Sequence, residues 1–404
     1  MSISAEKNFD VIVIGSGPAG ATAALLLVQA GFSVAIVEKT AFPRRKVCGE
    51  YLSATNLDLF RRLGIFDDFV QMAGPEVSRV GIFSDEIKLI ADMPRSERSQ
   101  SYWGRALRRE ILDTLLLERS IDAGAERLQP WSVVKITKTN NGFVSHIESK
   151  ETADAKAISS QIVIAAHGSW EIGPLPTQPK RQTLKPSDLL GFKAHFRNSD
   201  LSADLMPMVV FPGGYGGMVT CDSGFTSISC CIRNDMLQAV RGRYADKKAG
   251  EALQQHIVEN CEGVREALAP AQLAGEWLSA GPIRPGVRSR YRNGIFIVGN
   301  AAGESHPIIA EGISMAIQSA WLLCEKLIEH WQVGSTHLNL DQIAEAYDRD
   351  WLRAFAQRIK AANVFAYLAM KRGSHTVLSK LMNTFPSILT LGAKMSGKVN
   401  RVVA

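Results

Sequence analysis

FDVIVIGSGPAGATAALLLVQAGFSVAIVEK, residues 9–39, decides the fold. A β-branched run from Val11 to Ile14 reads as a buried strand that breaks into Gly15-Ser16-Gly17-Pro18-Ala19-Gly20 and then enters an Ala/Leu-rich helix. A second strand at residues 33–37 ends in Glu38. Gly15 permits the tight turn, Gly17 lets a pyrophosphate approach the backbone, and Gly20 lets helix and strand pack closely. The helix start offers unpaired N–H groups and a positive dipole end to that pyrophosphate. Glu38 arrives where an acid would hold a ribose hydroxyl pair. A glycine triplet alone is a common turn, but strand, turn, helix, second strand and acid in that order predict a dinucleotide site.

Residues 11–37 carry no charge and are long enough to cross a bilayer. Gly15, Gly17, Gly20, Gly31 and Pro18, mostly at turn positions, place the stretch in a buried βαβ core instead.

The chain of 404 residues, 46% hydrophobic and 21% charged, suits a soluble enzyme with two intimately connected domains. Residues 1–8 are polar and carry both charges, so no secretory signal is expected there. Six cysteines show no CxxC pair and no zinc-like spacing, which predicts a reducing cytoplasm, no disulfide framework and no metal. The net charge of +6 is uneven: residues 351–404 hold Arg353, Arg358, Lys360, Lys371, Arg372, Lys380, Lys394, Lys398 and Arg401 and no acid. Removing those nine of 46 leaves 37 basic residues against 40 acidic, so the tail alone makes the protein basic.

After Glu38 comes AFPRRKVCGEYLS, residues 41–53. It is either a solvated basic loop or one that sets Arg44, Arg45 or Lys46 beside the cofactor phosphates, because it leaves the carboxyl edge of the sheet where ligands bind. The edge favours the second. Residues 56–63 and 66–72 read as helices, 77–90 as a strand pair of a separate sheet, and 105–120 as an amphipathic helix. Arg108 and Arg109 near that helix start oppose its dipole and need a partner, a phosphate or a carboxylate. Residues 128–147 read as a hairpin turning at Asn140-Asn141-Gly142, and 161–168 as the return to the parallel sheet. Residues 191–233 alternate apolar and polar, with a glycine cluster at 211–217 that predicts a sheet turn, and Cys230-Cys231 reads as strand packing. The chain returns in GIFIVGNAAGESHPIIAEGISMAIQSA, residues 294–320: a strand, a second glycine turn at Gly299, and a helix from about Gly312.

The glycine motif with Glu38, the Arg109-Glu110-Ile111-Leu112-Asp113 helix, the Ala165-Ala166-His167-Gly168 strand end and the Gly299-Asn300-Ala301-Ala302 turn together resemble the FAD-dependent flavoprotein superfamily of aromatic hydroxylases. Lys46-Val47-Cys48-Gly49 is similar to the loop of its geranylgeranyl reductase-like branch. The resemblance spans residues 9 to about 325 and implies a Rossmann-like, α/β FAD-binding domain with an inserted antiparallel-sheet substrate domain and a C-terminal helical tail. The implied boundaries are 1–75, 101–180 and 286–330 for the FAD-binding parts, 76–100 and 181–285 for the substrate domain, and 331–404 for the tail. It implies FAD as cofactor, with Gly15, Gly17, Pro18, Ala19 and Gly20 at the pyrophosphate and Glu38 and Lys39 at the adenosine side. Arg44 and Arg109 would lie along the chain of the cofactor, Gly299, Asn300 and Ala302 at its ribityl and pyrophosphate, and Gly312 and Ile313 at the flavin N1–O2 edge, where a helix dipole stabilises the charge of reduced flavin. Two departures stand out: Asn300 replaces the family's aspartate, which removes a charge, and His167 stands where the hydroxylases carry Asp-Gly.

The first expectation is a monooxygenase that takes electrons from NAD(P)H, a transient reductant, and hydroxylates an apolar or phenolic substrate with O2. The alternative is a reductase of prenyl or polyene double bonds, which the Cys48 loop favours. From another class comes a non-catalytic lipid-binding or electron-carrying flavoprotein. Halogenase and reductase signatures rich in tryptophan and proline are both absent from the sequence. Cys48, as proton donor or wall, His306 and Tyr215 are the catalytic candidates, with Glu311 and Tyr51 behind them. Partners are a small apolar or lipid-like substrate and no nucleic acid. The basic tail, with apolar stretches at 361–369 and 381–391, would meet a membrane surface or an acidic carrier, or else pack on the body.

Overall fold

The computed structural model describes residues 7–93, 103–331 and 338–370. The strand β1 (Lys7–Ile14), helix α1 (Pro18–Gln29) and strand β2 (Val34–Val37) form the βαβ unit that the glycine motif predicts. Helices α2 (Leu57–Leu63) and α3 (Phe66–Met72) follow, then strands β3 (Arg79–Ser84) and β4 (Ile87–Asp92), the expected pair of a second sheet. Helix α4 runs Arg109–Asp122, four residues later than its apolar periodicity suggests. Arg105–Ala106 is instead extended and pairs with Tyr51–Leu52.

Next come β5 (Glu126–Leu128), the hairpin β6 (Trp131–Thr139) and β7 (Gly142–Ser149), and β8 (Ala155–Ala165), which returns to the first sheet. The substrate-side sheet is built from β9 (Leu189–Arg197), β10 (Leu205–Phe211), β11 (Gly214–Thr220) and β12 (Thr226–Arg233). Helices α5 (Asn234–Arg243), α6 (Ala249–Glu259) and α7 (Glu262–Leu268) cover its outer face, and β13 (Leu278–Ile283) joins its edge. Strand β14 (Ile295–Ile297), helix α8 (Gly312–His330) and helix α9 (Leu340–Met370) complete the described chain. No helix among the described residues is long and apolar enough to cross a membrane.

In the first sheet β14, β8, β1, β2 and β5 lie side by side and parallel. Ile14 pairs with Ala165 and with Val37, so the chain segments that follow β1, β2 and β8 leave one edge together. Their β-branched residues are buried on both faces, as parallel strands covered by helices require. Gly15 turns at φ +97°, and a Cβ on Gly20 would stand 1.8 Å from the Gly15 carbonyl oxygen, so only glycine lets α1 start this close to β1. The second sheet is antiparallel except where β10 runs parallel to β3, a crossover that stitches residues 79–84 to a strand 126 positions on.

Candidate active site

At the shared carboxyl edge, the Glu38 carboxylate is 4% exposed and fully engaged. It accepts the Ser16 N–H at 2.9 Å, the Ser16 hydroxyl at 3.0 Å and the Thr40 N–H at 3.0 Å. Gly17 caps α1 with no side-chain bond to the helix start, and Pro18 brings no N–H, leaving the Ala19 and Gly20 amides to face an anion. A Cβ on Gly17 would meet only guanidinium nitrogens, of Arg44 at 3.8 Å and Arg109 at 3.9 Å. Asp113 clamps Arg109 at 2.6 and 2.7 Å, while Arg44 lies 3.4 Å from Glu38. Burial and the neighbouring Arg44 and Arg109 hold the Lys46 ammonium below its ordinary pKa. Such crowded cations are poised for a diphosphate, which would relieve their repulsion. Lys39 pairs with Glu171 at 2.9 Å on the cavity wall. Arg45 turns away, toward Gly275.

The distant motif meets the first one: a Cβ on Gly299 would lie 2.9 Å from the Ala19 Cβ. The Ser319 hydroxyl accepts the Gly299 N–H at 3.1 Å, and the Asn300 amide donates to Glu304 at 3.5 Å. Glu304, unremarked in the sequence, is buried, which raises its carboxyl pKa, and Arg288 lies 3.2 Å away. A carboxylate four residues on thus stands against Asn300, where the family has its aspartate. Gly312 and Ile313, at the start of α8, line the same cavity. Gly20 and Ala302 are buried in packing, Gly20 against Gly15 and Ala302 against Gly299.

The cavity, about 830 Å³, continues from this cradle over the face of the second sheet at Val80, Ile82, Met206 and Met208. Cys48 is half-buried beside Arg109, its sulfur accepting the Glu50 N–H at 3.4 Å. Tyr215 and His306, 91 residues apart, come together with 2.6 Å between the phenol oxygen and Nδ1. Burial pushes the His306 imidazole down to about 4 and the Tyr215 phenol well above its ordinary value, so both are neutral at pH 7. Burial also lifts the Cys230 and Cys231 thiols, Cys231 to about 12; they are inert strand residues, as expected. Glu311 caps α8 out of the cavity, within 3.4 Å of the Ser53 hydroxyl.

Of the two arginines that open α4, Arg108 finds carboxylates, Asp222 and Glu110, both at 2.7 Å. Arg109 has a carboxylate too, yet faces Gly17. The sequence reading missed Arg358, which α9 brings to the cavity wall and whose pKa burial lowers, so it does not belong with the solvated tail cations. It also missed the buried group Glu50, Lys193 and His195. A hint was available: Lys193 and His195 alternate with Phe192, Ala194 and Phe196, placing both polar side chains on one face of β9.

A parallel sheet with two glycine turns touching at its carboxyl edge, an acid at the end of the second strand and clustered cations at Gly17 fit FAD. The adenosine diphosphate would lie by Gly15, Gly17 and Glu38, and the flavin half toward Gly299 and α8. Fold and site define an FAD-dependent oxidoreductase. The chain belongs to the FAD binding domain family, which matches residues 8–352. It is 26% identical over 372 residues to digeranylgeranylglycerophospholipid reductase 2 of Methanopyrus kandleri, covering 90% of this chain and 88% of that protein. Its fold is shared with a myxobacterial chondrochloren halogenase (TM-score 0.77, 20% identity, 96% of this chain and 91% of the other). A geranylgeranyl bacteriochlorophyll reductase-like protein of Thermoplasma acidophilum shares it too (TM-score 0.66, 18% identity, 96% and 99%).

Proposed function

We propose that the protein reduces carbon–carbon double bonds of a prenyl or polyene chain, taking electrons from NAD(P)H. The observation that carries this reading is the cavity's apolar run over Val80, Ile82, Met206 and Met208, continuous with the FAD cradle. Such a wall suits a flexible hydrocarbon chain better than a compact phenol. The relatives named for prenyl-lipid reduction support it, and they move the reading away from the oxygen insertion expected first.

FAD, where bound and reduced, would supply hydride chemistry at one carbon of the double bond. The other carbon must then gain a proton from the protein. Cys48 and Tyr215 are the candidate donors at that end, on opposite elements: the cofactor loop and β11. Neutral His306 orients the phenol, and a proton the phenol gives up is replaced from bulk water through the imidazole, one ring nitrogen taking up a proton as Nδ1 releases one. The apolar wall keeps water from the reduced cofactor.

The test is anaerobic incubation of the FAD-loaded enzyme with NADPH or dithionite and a geranylgeranyl lipid. Product two mass units heavier, with no oxygen requirement, is expected. A product sixteen units heavier that forms only with oxygen uptake would restore the hydroxylase reading. Cys48→Ala and Tyr215→Phe, each tested for retained FAD, identify the proton donor by the larger fall in kcat, at least tenfold.

A further inference from the structure

We propose that Glu50 is a positioning residue for the cofactor face, fixing the Cys48 loop and the start of α4 against the second sheet through a buried charge cluster. Its backbone lies in the left-handed region at φ +63°, a strained place for a non-glycine residue. Its carboxylate is 1% exposed and takes donors from three elements. One oxygen accepts the Arg109 N–H at 2.9 Å and the ammonium of Lys193. The other accepts His195 Nε2 at 2.8 Å and the Cys221 thiol at 3.7 Å. Lys193, His195 and Cys221 are 1%, 3% and 1% exposed.

An ion pair withdrawn from water in this way adds little stability over apolar side chains of the same size. Strain and desolvation thus fall on one residue without a matching gain in stability, and what they secure is geometry. The Glu50 N–H holds the Cys48 sulfur, and its side chain holds the amide of Arg109, whose guanidinium faces both Cys48 and Gly17. Both walls of the cofactor face are therefore set by one residue, whose carboxylate is held by β9.

Cys48 is half-buried and the other five cysteines are buried, so iodoacetamide labelling of the FAD-loaded protein, quantified by peptide mass spectrometry, reads the Cys48 loop alone. Glu50→Gln is expected to speed Cys48 labelling at least tenfold and to weaken FAD binding at least tenfold. Phe211→Leu, in the outer core of the second sheet and chosen for a comparable fall in Tm, should leave both near the wild-type values. Should Glu50→Gln not fold, the neutral double variant Glu50→Gln with Lys193→Met keeps the volume of the cluster and is expected to fold with labelling raised at least fivefold. Labelling and FAD affinity within twofold of wild type, or an equal rise in Phe211→Leu, would overturn the proposal. Failure of both Glu50 variants to fold would overturn it too, by making Glu50 a stability residue. No substrate turnover enters these readouts, so they stand or fall apart from the reductase reading.

Discussion

Gly17 and Gly20 belong to one motif but do different work, and alanine at each position separates the two. At Gly20 a methyl group would collide with the Gly15 carbonyl oxygen, backbone that cannot yield without moving α1 from β1. Gly20→Ala is expected to cost about 1–3 kcal/mol of stability by overpacking and to purify without bound FAD. At Gly17 φ is −67°, which alanine adopts freely, and the methyl would meet nothing closer than the arginine nitrogens at 3.8 Å. Gly17→Ala should therefore unfold in urea like wild type while its FAD dissociation constant, measured by fluorescence titration, rises at least tenfold. Equal losses in both variants would contradict this division. The glycines and Glu38 were legible because each answers a local demand at a fixed offset from a strand end. Glu50, Lys193 and His195 were not, because alternation along β9 shows that two polar residues share a face without showing that α4 and the cofactor loop bury it.

At the scale of elements, the start of α4 and the role of α9 illustrate the limit. Residues 105–108 continue the apolar periodicity of α4, yet the Tyr51–Leu52 ladder and the Glu50 carbonyl, which accepts the Leu107 N–H, hold them extended, a tertiary constraint absent from local sequence. Helix α9 was expected as part of a basic tail that meets a membrane or carrier or packs on the body. Its Trp351, Phe355, Ile359, Ala362 and Ala366 are buried, and Trp351 and Tyr347 both bond the Ser319 hydroxyl that holds Gly299. Removing residues from 351 onward would thus strip core and cofactor support together. The informative truncation is after Met370, which removes Lys371, Arg372, Lys380, Lys394, Lys398 and Arg401 with the apolar stretch 381–391, all outside the described residues. We propose that this tail draws the enzyme to an anionic lipid surface, consistent with a lipid substrate. The truncated protein should keep its FAD and its Tm but lose co-sedimentation with phosphatidylglycerol vesicles at low salt; unchanged co-sedimentation would remove the tail from the argument.

Across the whole molecule, the parallel sheet was readable because buried strands and glycine turns repeat their signals at residues 11–20 and 295–303, whereas the parallel pairing of β3 with β10 depends on chain crossing that no local pattern records. The two polar clusters beneath this architecture give it a predictable response to acid. His306 is held neutral, its pKa lowered by burial from 6.5 to about 4. Between those values the unfolded chain binds the extra proton, so stability falls as pH falls from 6.5 to 4, by about 3 kcal/mol at 1.36 kcal/mol per pKa unit. Glu50 has its pKa lowered from 4.5 to about 2, because Lys193 and His195 outweigh the opposing effect of burial. The folded state therefore favours its ionised over its protonated form, an advantage that is complete above 4.5 and is lost as pH falls toward 2. Both effects have the same sign and occupy windows that overlap only between pH 4 and 4.5. Urea midpoints of the FAD-loaded protein, measured from pH 2 to 7.5 in wild type, His306→Gln and Glu50→Gln, resolve them. The difference between wild type and His306→Gln should change only between pH 4 and 6.5, and that between wild type and Glu50→Gln only between 2 and 4.5. If both differences moved in the same window, the cavity histidine and the carboxylate under the cofactor loop would be titrating as one network, and the separation of catalytic wall from positioning cluster would fail with it.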